Sequence, residues 1–170
     1  MDVDITTLAT MQGALTSITD EMSQVVVRTA RSPVFKLAKD FSCTLCDWQA
    51  RQMIQGDAEL PVHVGSIPFV CQAAAEAYAG NIAPGDTFLC NDPAFGGLHL
   101  NDVALLRPIF VEDELLFWAV IRAHWLDIGG PSPADLRRAQ SDSYGEGVRI
   151  PPLKIIAAGE PCDDVMRLYF

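Results

Sequence analysis

Leu8, Met11, Leu15, Ile18, Met22 and Val25 recur at alternating intervals of three and four, the spacing that lines one stripe of an α-helix over residues 5–31. Two uses of the stripe are open: a face packed on the chain's own core, the commoner case at this length, or a seam that docks a partner. Ser32-Pro33 closes the helix, because the residue before proline is disfavoured in the α region. Phe41, Cys43 and Leu45 then alternate with Ser42 and Thr44, which predicts a strand over 40–47. The alanine-rich stretch 67–78 predicts a second helix, and Ala83-Pro-Gly-Asp86 a turn after it. Strands follow at 87–90, 103–110 and 115–123, with the acidic Glu112-Asp-Glu114 as a hairpin turn between the last two. The run from Leu115 to Ile121 is so continuously apolar that it reads as buried on both faces. Residues 129–147 are polar and loop-like, with Pro131, Pro133, Ser141 and Ser143; a short strand at 153–156 comes next, and Asp163 and Asp164 open a helix that stops within about two turns. The fold class is therefore mixed α/β of the α+β type, a long N-terminal amphipathic helix packed on a mixed or antiparallel sheet, in a single domain over 1–170.

Composition narrows the function classes. The 170 residues are 49% hydrophobic and 20% charged, and no run approaches the roughly 18 apolar residues of a membrane span. Twelve Lys and Arg against 22 Asp and Glu leave a formal charge of -10, which argues against nucleic acid and anionic membrane surfaces as partners. The five cysteines are odd in number, and acidic Asp2 and Asp4 stand where a secretory signal would carry basic residues, so a reduced, cytoplasmic protein is expected. Cys43 and Cys46 form a lone C-x-x-C without a second ligand pair and read as structural thiols.

Candidate chemistry concentrates on the histidines. His99-Leu-Asn-Asp102 and His124-Trp-Leu-Asp127 repeat one H-x-x-D pattern within 29 residues, each at the edge of an expected strand, where sites are commonly built. Imidazole and carboxylate donors together suit divalent zinc, manganese or iron. The plainer reading, each histidine satisfied by a nearby aspartate or carbonyl, stays open beside it. Ser66 lacks the flanking glycine of a nucleophile elbow, Cys90 lies in an apolar strand, and Gly96-Gly97 alone is no phosphate cradle. Asp92, Arg122, Glu146 and Arg149 read as loop-locking residues before substrate contacts.

Ordered motifs add a resemblance. Lys39-Asp-Phe-Ser-Cys43, Pro61-Val-His-Val-Gly-Ser66, Pro84-Gly-Asp86, Asn91-Asp-Pro93, Gly96-Gly-Leu-His-Leu-Asn-Asp102, Arg122-Ala-His124, Asp127-Ile-Gly-Gly130 and Glu146-Gly-Val-Arg-Ile-Pro-Pro152 occur in one collinear run over nearly the whole chain. In this the chain resembles the hydantoinase B/oxoprolinase family: B subunits of ATP-dependent hydantoinases, oxoprolinases and lactamases, with the related subunits of acetone and acetophenone carboxylases. Its members run to several hundred residues, so the chain is expected to be the N-terminal portion of a longer subunit.

The resemblance implies a divalent metal held by Asp40, His99, Asp102 and His124, with Asp127 and His63 as acid/base or supporting groups. It implies ATP on a hydantoinase A-like partner subunit in a hetero-oligomer, and a small-molecule substrate. The partner would phosphorylate an amide or ketone oxygen; the outcome would be hydrolysis of a cyclic amide (hydantoin, oxoproline or lactam) or, as the alternative, carboxylation of a ketone. A non-catalytic assembly module is the third reading. Many family members carry a second histidine after the one matching His124, whereas here Trp125 follows; an aromatic near the metal would favour an apolar or aromatic substrate and tilt toward the ketone carboxylases, although an aromatic beside a strand end is more often simply packed.

Overall fold

The computed structural model describes residues 4–57, 60–130 and 145–169. Helix α1, Ile5–Thr29, starts on Asp4, whose carboxylate accepts the N–H groups of Thr6 and Thr7 at 2.9 and 3.0 Å. It ends at Ala30, which turns into extended backbone just ahead of Ser32-Pro33, as expected. A π-helical turn, Val34–Ala38, follows, closed by Lys39 in the left-handed region (φ 53°). From there the chain enters strand β1, Phe41–Asp47, and returns as β2, Gln52–Gln55. A 3-10 segment, Pro61–Ser66, leads into helix α2, Ile67–Ala77. Strand β3 is Thr87–Cys90, β4 Asp102–Val111, β5 Glu114–His124, β6 Leu153–Ala157 and β7 Glu160–Pro161; α3, Asp163–Tyr169, comes last. The predicted hairpin turn forms with Glu112 and Asp113 both at positive φ, the backbone twist that joins two adjacent strands tightly.

The seven strands among the described residues belong to one antiparallel sheet in the order β2-β1-β5-β4-β3-β6-β7, which settles the choice between mixed and antiparallel. Helix α2 covers one face: Ile67, Val70, Cys71 and Ala74 pack dry against Cys46, Phe88, Ala104, Leu106, Trp118 and Val120. Helix α1 lies on the other face over Phe41, Cys43 and Ala123. Cys43 and Cys46 thus fall on opposite faces, as their odd spacing on a strand requires, and serve as core residues; none of the five cysteines, all among the described residues, is in a disulfide.

Two expectations about burial are corrected. The stripe on α1 is only partly its packed face: Leu15 and Met22 are half-buried, but Leu8, Met11, Ile18 and Val25 are 46% to 54% exposed, and residues 4–14 are exposed throughout. Thr19 and Ser23 face inward instead, with Met22, Val26 and Val27 half-buried beside them. Both hydroxyls bond back to their own helix (Thr19 Oγ1 to Thr16 O and Ser23 Oγ to Thr19 O, each 2.9 Å), so these small residues approach the sheet with no orphaned donor. Strand β5, in turn, is dry on one face only: Trp118 and Val120 are buried while Leu115, Phe117, Ala119 and Ile121 are partly exposed. Helix α1 reaches only part of that face, leaving an open apolar groove among Val26, Phe35, Leu105, Ile121 and Trp125.

The predicted loop lies mostly at 131–144, outside the described residues. Among the described residues no helix is long and apolar enough to cross a membrane.

Candidate metal centre

Three neighbouring strands end together on the α2 side of the sheet. The β4–β5 register pairs Asp102 with His124, and the β1–β5 register pairs Phe41 with Ala123. One residue earlier, the Asp40 carbonyl accepts the His124 N–H at 3.0 Å. Asp40, His124 and Asp102 therefore form one row across β1, β5 and β4, with Ser42, Arg122 and Ala104 in the row behind. The left-handed Lys39, a strained conformation for a non-glycine residue, delivers the chain to Asp40.

Asp102 is the hub. Its Oδ1 accepts from His124 Nδ1 at 2.8 Å and lies 4.0 Å from His63 Nε2. Its Oδ2 accepts the backbone N–H of His99 at 3.2 Å and sits 3.3 Å from that ring's Nδ1. His63 is buried to 1% exposure, whereas the His99 ring is 73% exposed and meets His124 edge-on with centroids 6.4 Å apart. His99, Asp102 and His124 each offer a ligand atom, all within 4.8 Å of one another.

These contacts set the charges. Burial works against an ionised Asp102, yet the His124 hydrogen bond and the neighbouring imidazoles outweigh it and hold the carboxyl below its ordinary value. His124 is raised by that hydrogen bond, against its burial, with the Asp102 and Asp40 charges adding to the effect. His63 moves the other way, because burial disfavours its charged form more than Asp102 and Asp40 favour it. The site thus pairs an ionised carboxylate with one neutral and one proton-retaining imidazole.

The surrounding loops are bolted in place. Arg122, fully buried, donates to Ser66 Oγ and, at 3.0 Å, to Gly96 O; Ser66 Oγ donates in turn to His63 O at 2.9 Å. One guanidinium therefore ties the His63 turn to the His99 loop. Gly96 and Gly97 serve close packing: a Cβ on Gly97 would lie 2.0 Å from Asn91 O, and Gly96 combines φ 87° with contact on Phe69. Asn91 Nδ2 donates to Leu100 O and Val148 O at 2.7 and 2.9 Å, its Oδ1 accepts from Ile150 N at 2.6 Å, and Arg149 pairs with Asp92 at 2.7 Å. Arg122, Asp92 and Arg149 lock loops, as their types suggested.

The structure brings His63, His99, Asp102 and His124 together and sets Asp40, half-buried, beside them. Asp127 is exposed, and its Oδ1 closes a turn by accepting Gly129 N–H at 2.9 Å, apart from the cluster. Trp125 follows His124 on the strand and faces the opposite side, half-buried in the groove beside α1, so it does not line the space around Asp102. Sequence reasoning overlooked Ser42, although the alternation that predicted β1 already places it on the face of Asp40. The donor set of imidazoles and carboxylates fits a zinc, manganese or ferrous ion, and Asp102 with a buried imidazole on one side and an exposed one on the other leaves an approach from solvent.

Comparison with known proteins gives a consistent picture. A family model described as hydantoinase B/oxoprolinase matches residues 4–170. The caprolactamase subunit beta of Pseudomonas jessenii is 40% identical over 166 residues, covering 98% of this chain and 28% of its own length. A 5-oxoprolinase of Saccharomyces cerevisiae is 32% identical over 151 residues, 88% of this chain and 12% of that protein. Among solved structures, the ATP-dependent caprolactamase from P. jessenii superposes with TM-score 0.90 at 39% identity, over 99% of this chain and 29% of that one. The nucleotide-free acetone carboxylase gives TM-score 0.85 at 21% identity, over 95% and 21%, a likeness of fold alone. The chain thus spans less than a third of the length of these relatives.

Proposed function

The chain belongs to the hydantoinase B/oxoprolinase family, and from that premise we propose that it is the metal-binding part of a B-type subunit which, with an ATP-using hydantoinase A-like partner, hydrolyses a cyclic amide. The observation that carries the reading is the buried carboxylate of Asp102 ringed by three imidazoles. His99, Asp102 and His124, with Asp40 at the end of the same row, are the residues to hold a divalent ion. Bound there, the ion would supply Lewis acidity. His63, neutral and buried beside Asp102, is placed to accept a proton, and its burial makes it a better base than the solvent-facing Asp127. Arg122 keeps the two histidine-bearing loops at fixed separation, so the donors are in place before substrate arrives.

Hydrolysis is preferred to ketone carboxylation because the 40% identity is to a caprolactamase subunit, whereas the acetone carboxylase likeness extends only to the fold. The test is phosphate release by the assembled complex. Release driven by a lactam, hydantoin or oxoproline without bicarbonate supports hydrolysis; release that needs bicarbonate and a ketone overturns it in favour of the carboxylase.

The exposed Leu8, Met11, Ile18 and Val25 favour a second role for α1 as the docking face of the complex, carried alongside the site.

A further inference from the structure

Ser42 is fully buried on β1, one row behind Asp40. Its Oγ lies 2.9 Å from the carbonyl oxygen of Leu60 and 3.0 Å from His63 Nδ1. A hydroxyl has one proton to give, and a carbonyl has none. The Ser42 proton therefore goes to Leu60, and its oxygen must accept from His63, which puts a proton on Nδ1. In the neutral ring Nε2 is then a bare lone pair. It faces Asp102 Oδ1 at 4.0 Å, and an ionised carboxylate is also acceptor-only. His124 already donates to that oxygen at 2.8 Å, but Nε2 and Oδ1 make no hydrogen bond with each other, and the two groups, 1% and 3% exposed, both turn an acceptor toward a gap that suits a cation. Donors on a tetrahedral zinc, with bonds of roughly 2.0 to 2.2 Å, lie about 3.4 Å apart, so the 4.0 Å gap need close by only about half an ångström for both groups to reach one ion. The opposite tautomer fits worse: Ser42 would give its proton to His63, leaving two oxygens 2.9 Å apart with no hydrogen between them, and a 4.0 Å N–H···O contact is too long for a bond.

We infer that Ser42 is a positioning residue: with the Leu60 carbonyl it locks His63 as the Nδ1–H tautomer and so enlists Nε2, together with Asp102, to hold the divalent ion. The inference rests on the metal reading above and extends it to two residues, Ser42 as the orienter and His63 as a donor, a role that takes the place of its proton-accepting one because Nε2 has a single lone pair.

The experiment is long-range 1H–15N correlation on protein labelled with 15N at histidine, first metal-free and then with zinc, on the wild type, Ser42→Ala and Ser42→Thr. The chain's three histidines are assigned by single substitution. The expected wild-type pattern is a protonated Nδ1 and a bare Nε2 on His63, with Nε2 shifting on zinc addition together with His99 and His124. Ser42→Ala loses the fixed tautomer and binds zinc about 10- to 100-fold more weakly in a chelator competition, while Ser42→Thr, which keeps the hydroxyl, stays near wild type. A proton on wild-type Nε2, in the other tautomer or in the imidazolium, overturns the inference, whatever the variants do. So does zinc that moves His99 and His124 but leaves His63 unchanged, an outcome that spares the metal reading. Zinc that moves none of the three sinks the metal reading and this extension with it.

Discussion

His124 Nδ1 and Asp102 Oδ1 stand 2.8 Å apart although 22 residues separate them, because the β4–β5 register makes them cross-strand partners. The pair holds a carboxylate charged and an imidazole protonated beyond their ordinary ranges, and the carboxylate serves two further histidines. Asp102→Asn keeps the shape and removes the charge. It is expected to lower zinc affinity by at least about 100-fold, a larger loss than that from His99→Ala, and elemental analysis beside chelator competition measures both.

The same pair predicts how metal uptake depends on pH. A metal can replace only the proton that His124 gives up, and Asp102 raises the pKa of that proton. Zinc affinity should keep climbing with pH beyond the ordinary histidine value of about 6.5, with net proton release on binding below it. Calorimetry in buffers of different ionisation enthalpy reads the released protons, and a flat profile from pH 5.5 to 7.5 would contradict the prediction.

Asp86 gives a stability prediction away from the site. Its buried carboxylate accepts from Ala83 N and Ala158 N at 2.9 and 2.8 Å and pairs with Lys154 at 2.8 Å. Burial opposes the charge, but Lys154 and the two N–H groups prevail, so the folded pKa lies below the ordinary 3.8. The unfolded chain thus takes up its proton at higher pH; the stabilisation is complete above the unfolded value and fades as pH falls through the folded one. Asp86→Asn should cost about 3 kcal/mol at neutral pH and flatten the acid limb of a denaturation series.

Gly97→Ala places a methyl group 2.0 Å from the Asn91 carbonyl, which backbone alone must relieve. A loss of about 3 kcal/mol in urea unfolding is expected, with weaker metal binding because the displaced loop carries His99.

Charging the exposed stripe should separate stability from assembly. Leu8→Glu and Ile18→Glu are expected to leave thermal stability within about 0.5 kcal/mol of wild type. Co-elution with the ATP-using partner should fall; unchanged co-elution would reject α1 as the docking face.

Much of the fold could be read in advance where pattern and burial agree. The β4–β5 hairpin announced itself through two apolar runs and an acidic turn, and α2 through its alanines. Helix α1 was recognised, and of the two uses left open for its stripe the commoner, core packing, holds only in part, since hydropathy ranks Leu8 and Ile18 above Thr19 and Ser23, while close approach to a sheet rewards small side chains that can bond back to their own helix. Strand β2 went unseen because its four residues include two glutamines and gain their place only from the neighbouring edge of β1. The two H-x-x-D patterns show why spacing needs a conformation. The first lies in a turn, where Asp102 N–H reaches back to His99 O at 2.9 Å and brings both side chains together. The second runs off the end of β5, and Asp127 bonds Gly129 instead of joining the cluster. Spacing pointed to His99, Asp102 and His124; the resemblance added Asp40 and drew attention to His63; only coordinates revealed the Ser42 hydroxyl.

Because three of the implicated side chains stand in a single cross-strand row, an ion held there would double as a proofreader of strand alignment. A slip of one residue between β5 and β4 would set Ala123 or Trp125 opposite Asp102 and send His124 to the side of α1. Such a misaligned sheet would bury a similar quantity of hydrocarbon yet forfeit the proposed ion, so metal loading would select the correctly threaded molecules from their near neighbours.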